Sequence, residues 1–67
     1  MPTITFEAGQ LTRQVKQDLI IGLTKASAKI TSIPETFFTI TIREWPDENL
    51  AIGGKSVAQI KTELEGS

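Results

Sequence analysis

The sequence predicts an α+β fold, a β-α-β unit followed by a C-terminal β-hairpin and a short helix. Three observations predict it. Residues 2–7 and 36–44 alternate polar and apolar side chains with a period of two. An apolar stripe at three- and four-residue steps lies between them, and a Gly-Gly pair is followed by a second, shorter helical pattern.

In residues 2–7, PTITFE, Thr3, Thr5 and Glu7 alternate with Ile4 and Phe6, as in a strand with one covered face. Gly9 breaks the run. Thr12 suits the cap of the following helix, because its side-chain oxygen can accept a backbone N–H that the first turn leaves unpaired. Val15, Leu19, Leu23, Ala26 and Ile30 then form the apolar stripe, opposite a face bearing Arg13, Lys16, Gln17, Lys25 and Lys29. Gly22 weakens this helix mildly. Pro34 disfavours helical geometry at Ile33, so the helix is expected to stop near Thr31 or Ser32.

Residues 36–44, TFFTITIRE, are rich in β-branched and aromatic side chains and are expected to form the second strand. Phe38, Ile40 and Ile42 would share one face, and Phe37, Thr39, Thr41 and Arg43 the other. Two strands joined by one long helix make a right-handed crossover with parallel strands. Pro46, Asp47, Glu48 and Asn49 form a polar turn, and LAIGG at residues 50–54 is compatible with a tight hairpin or bulge. Ser56 and Gln59 have capping-box spacing, and Val57, Ile60 and Leu64 give the tail a thin apolar stripe that should pack on a neighbour or an edge. No repeat or linker interrupts the chain, so residues 1–67 are expected to form a single domain.

A chain of 67 residues is near the size at which one core no longer outweighs chain entropy comfortably. Disulfides and His- or Cys-bound structural metals are closed off by the absence of Cys and His, which leaves self-association as the expected source of stability. Seven basic and eight acidic residues give a net charge of −1 and no long-range attraction to nucleic acid or an anionic membrane. No apolar run approaches the roughly 20 residues of a membrane helix, and MPTITFEAGQ lacks the basic and apolar regions of a signal peptide. A cytoplasmic location is expected.

The same census restricts the chemistry. A Ser-His-Asp or Cys-His arrangement and a His-bearing catalytic zinc site are impossible without their members. Carboxylates, lysines, Arg13, Arg43, hydroxyls and the terminal amine remain. Of these, only a terminal amine titrates near neutrality without a large environmental shift. Pro2 therefore stands out: removal of the initiator Met before a small residue leaves a secondary amine at the head of a strand. Apolar walls around such an amine disfavour its charged form and bring its pKa toward the operating pH of a general base. The alternative is that Pro2 merely begins a strand, where proline is tolerated.

Met-Pro at the terminus, a strand, a long helix ending before Pro34, a second strand ending in IRE, and the run TITIREWPDENLAIGGKS resemble the 4-oxalocrotonate tautomerase family over nearly the whole chain. That resemblance implies a tautomerase-type fold with a four-stranded sheet per dimer, often assembled further to a hexamer. It implies a keto-enol tautomerase, an isomerase acting on an enolisable carbonyl acid of the 2-oxo or 2-hydroxydienoic or enolpyruvate type. Pro2 would be the catalytic general base, with no cofactor or metal. The chain also departs from the family. Family members acting on dicarboxylates have arginines where this chain has Gln10 or Leu11 and Thr39. Arg43 shares a strand face with Thr39 but lies four residues on, about 13 Å away, and cannot simply take over the missing role.

Arg13, Arg43 and the free amides near Thr12 are candidates for holding a carboxylate or enolate oxygen, though solvated surface for Arg13 and an intersubunit salt bridge for Arg43 are equally open. Thr39 is either a substrate hydrogen-bond donor or an ordinary strand residue. Leu50 stands where the resemblance implies a pocket-lining aromatic, and Ile52 follows it; both would keep the Pro2 amine dry or pack on a partner subunit. Trp45 and Phe37 would form an apolar wall or an interface. GGKS is not a phosphate loop, since Asn49 occupies the place of the required earlier Gly. Two further functions stay open. One is a hydratase or dehalogenase on unsaturated acids, in which Glu44 or Glu48 would activate water because Ile52 occupies the expected acid position. The other is a non-catalytic oligomeric binding module.

Overall fold

The computed structural model describes residues 1–66, ordered as strand β1 (Thr3–Ala8), helix α1 (Arg13–Thr31), strand β2 (Thr39–Glu44), strands β3 (Ala51–Ile52) and β4 (Lys55–Ser56), and helix α2 (Val57–Glu65). Short 3-10 turns at Glu35–Phe37 and Asp47–Asn49 precede β2 and β3. β1 and β2 pair in parallel with Thr3 opposite Thr39 and Ala8 opposite Glu44, so α1 is the crossover of a β-α-β unit. The class is α+β, as the period-two and period-3.6 patterns predict.

Each boundary has a local cause. The Thr12 side chain accepts the Val15 N–H at 3.2 Å and starts α1. Ser32 ends it in the left-handed conformation at φ 63°, its N–H donating to the Ala28 carbonyl at 2.9 Å. The second strand is shorter than the sequence pattern suggests. Pro34 opens a turn in which the Phe37 N–H donates to the Pro34 carbonyl and the Phe38 N–H to the Glu35 carbonyl, so neither amide is left for the ladder and β2 begins at Thr39. Phe37 therefore lies in the turn and not on a strand face.

Gly53 and Gly54 have φ of 60° and 85°, the paired positive values of the two-residue hairpin turn joining β3 to β4, with Ala51 opposite Ser56. Ser56 then caps α2, accepting the Gln59 N–H at 3.0 Å as the capping spacing predicts. α2 packs on the Asp47–Asn49 turn, fastened by Lys61 to Asp47 at 2.8 Å and by the Val57 N–H to the Leu50 carbonyl at 2.7 Å.

The described chain has no interior. Among the described residues no side chain is fully buried, and the molecule measures 47 × 23 × 17 Å with a radius of gyration of 15.7 Å. A compact domain of this length would have a radius near 11 Å. The α1 stripe explains part of the difference. Leu19 and Leu23 are half-buried, but Val15 is 43% exposed and Ile30 83% exposed, while Ile20 and Ile21, outside the stripe, are about as exposed as Val15. The helix is apolar on more than the face its own two-stranded sheet can cover.

Candidate active site

The head of β1 is fixed by its neighbour. The Thr39 N–H donates to the Pro2 carbonyl at 3.0 Å, extending the parallel ladder one residue beyond the strand and holding the proline in register. Pro2 is half-buried, whereas Met1 is 91% exposed. While Met1 is attached, the Pro2 nitrogen is a tertiary amide without basicity; its removal leaves a secondary amine held at the end of a paired strand.

Of the residues marked in the sequence, the structure brings Pro2 and Thr39 together. It sets the others at the opposite end of the sheet. β1 carries the chain roughly 17 Å from its first residue to its last before α1 begins. Arg13 is the first residue of α1 and exposed. Arg43 is opposite Glu7 near the far end of β2, also exposed. Leu50 is half-buried beside α2 and Ile52 is 71% exposed at the hairpin tip, both following that same end of β2. Within one chain, Pro2 and Thr39 pair at one end of the sheet, while Arg13, Arg43, Leu50 and Ile52 belong to segments that border or follow its other end.

Glu44 is the residue whose part the sequence reading missed. One carboxylate oxygen accepts the Leu11 N–H at 2.9 Å and the other accepts Lys16 Nζ at 2.7 Å. The Leu11 N–H, then Lys16, holds the Glu44 carboxyl below the usual carboxylate range. Glu44 thus anchors the loop after β1 and the first turn of α1 to the end of β2, with both oxygens occupied. A carboxylate so engaged is poorly suited to activating water. Glu48 lies exposed in the 3-10 turn before the hairpin. Glu7 accepts Trp45 Nε1 at 3.0 Å, which ties Trp45 down beside the strand ends. Among the described residues no group of three or more acidic side chains is gathered as a metal site would require, and no helix is long and apolar enough to cross a membrane.

Comparison with solved structures places this arrangement. DmpI from Archaeoglobus fulgidus is 32% identical with a TM-score of 0.80, over 85% of this chain and 98% of its own. A structure of the 4-oxalocrotonate tautomerase isozymes of Methylibium petroleiphilum is 25% identical with a TM-score of 0.84, over 88% and 97% of the two chains. A structure analysed for trans-3-chloroacrylic acid dehalogenase activity is also 25% identical, with a TM-score of 0.74 over 82% and 97%. No curated protein matches at a significant level of sequence similarity. The family model described as tautomerase enzyme matches residues 2–60, from the proline at the head of β1 into α2. With that match spanning both strands, the crossover helix and the hairpin, the chain belongs to the tautomerase family.

Proposed function

We propose that residues 1–67 form one tautomerase-like domain and that the chain is a cofactor-independent keto-enol tautomerase, with Pro2 as general base once Met1 is removed. Its substrate is an enolisable acid of the 2-oxo or 2-hydroxydienoic or enolpyruvate type. The observation that carries this reading is the tether between Pro2 and Thr39, which fixes the proline at the end of the sheet where its freed nitrogen would face a substrate. The mechanism follows from the amine's chemistry. The neutral nitrogen takes the enol hydroxyl proton, and the ammonium so formed delivers that proton to the enol carbon as the carbonyl forms; in reverse it takes a proton from the carbon beside the carbonyl and returns it to the oxygen.

The separation of Pro2 and Thr39 from Arg13, Arg43, Leu50 and Ile52 supports a site assembled between subunits, in which a second copy brings its own arginine end to this Pro2. The open edges of a two-stranded sheet and the absence of fully buried side chains support the same self-association, to a dimer sharing a four-stranded sheet or to a hexamer. A cytoplasmic location fits the absence of Cys. The engagement of both Glu44 oxygens weighs against Glu44 as the water-activating carboxylate of a hydratase or dehalogenase and leaves Glu48 for that alternative. The test is the intact mass of the expressed protein together with ketonisation of phenylenolpyruvate and 2-hydroxymuconate, beside a Pro2→Ala variant. Loss of Met1 with a fall in kcat/KM of roughly 10²- to 10⁴-fold in the variant is expected. Retained Met1, or rates indifferent to Pro2→Ala, would favour the binding module.

A further inference from the structure

The turn that feeds β2 carries a second feature of the Pro2 end. Continuing the β1–β2 register one residue back from Thr3 and Thr39 sets Pro2 beside Phe38, so the Glu35–Phe37 turn lies at the nitrogen end of the proline. That turn is rigidly made, with the Phe37 N–H on the Pro34 carbonyl at 3.0 Å and the Phe38 N–H on the Glu35 carbonyl at 3.1 Å. Phe37 is nevertheless 50% exposed, a large ring left uncovered two residues from the Pro2 tether. Glu35 is exposed in the same turn, and both arginines belong to the other end of the sheet.

These groups sort substrates by their far end. A partner arginine brought to this site would satisfy one carboxylate of an enol acid. The remainder of the substrate then meets an aromatic ring, a threonine and a negative charge, which accept an apolar or aryl group and repel a second carboxylate. We infer that Phe37 is a specificity-determining wall of the Pro2 site and that the chain prefers monocarboxylic enolpyruvate-type acids bearing an aryl or apolar substituent over dicarboxylates. This rests on the reading of Pro2 as the base.

The experiment compares kcat/KM for phenylenolpyruvate and 2-hydroxymuconate in the processed oligomer and in its Phe37→Ala, Phe37→Leu, Glu35→Gln and Pro2→Ala variants, with sedimentation of each. The parent is expected to favour the aryl acid, and the ratio of the two constants should fall roughly three- to tenfold in Phe37→Ala. Glu35→Gln should shift the ratio the same way. Phe37→Leu retains apolar volume without the ring and carries the test if the alanine variant does not fold. Collapse of both activities in Pro2→Ala together with an unmoved ratio in the Phe37 variants would overturn this inference alone. A Phe37 variant that dissociates the oligomer and slows both substrates equally would do the same, marking Phe37 as an interface residue. Full activity in Pro2→Ala would overturn the base reading and this inference together.

Discussion

Pro2 and Glu44 lie toward the two ends of one small sheet, Pro2 tethered to Thr39 and Glu44 to Leu11 and Lys16. Pro2 could be marked in the sequence because the chemistry proposed for it depends on residue type and terminal position. Glu44 was not, because its partners Leu11 and Lys16 lie 33 and 28 residues away and only the crossover brings them together. Its lowered pKa makes a signed prediction. A carboxylate with a folded pKa below its unfolded value contributes stability that is complete above the ordinary carboxylate pKa and is lost as pH falls through the lowered folded value. Denaturant titrations across that acid range should show a shallower loss of stability in Glu44→Gln than in the parent. Identical slopes would mean that the anchor does not titrate with unfolding.

At the scale of elements, caps and turns were read closely because they are local. Thr12 and Ser56 accept the N–H groups their positions predict, and the two glycines take the hairpin's positive φ values. The start of β2 was misread because the alternation of residues 36–44 is indistinguishable from a strand until the hydrogen bonds of the Pro34 turn are counted. Thr12→Ala should cost about 1 kcal/mol in denaturant unfolding, from the lost cap. Ser32→Gly should raise stability by about 0.5–1 kcal/mol, because a non-glycine residue is held there at φ 63°. Gly54→Ala should lower it by about 1 kcal/mol, since its Cβ has open space around it and only the φ of 85° opposes the change.

For the whole molecule, the apolar stripe of α1 was legible but its destination was not. Val15 and Ile30 belong to that stripe, and in a single chain they remain exposed because two strands are too few to cover the helix. Composition had already pointed past the single chain, having removed disulfides and His- or Cys-bound metals as alternatives to association. If assembly supplies the missing interior, the thermal midpoint should fall on dilution, which scanning calorimetry over a hundredfold concentration range would detect. A midpoint independent of concentration would mean that the chain is stable alone. The same assembly would unite the Pro2 end of one copy with the arginine end of another, so activity should fall with the oligomer in the same dilution series.

The most direct test of the account is a pH titration of the proline nitrogens by ¹⁵N NMR in protein shown by mass to have lost Met1. Pro34 and Pro46 hold amide nitrogens that do not ionise, so any titrating proline resonance belongs to Pro2. The account predicts one such resonance, titrating near neutrality and coincident with the acid limb of kcat/KM for enol ketonisation. A Pro2 nitrogen that stays protonated throughout the active pH range would contradict it.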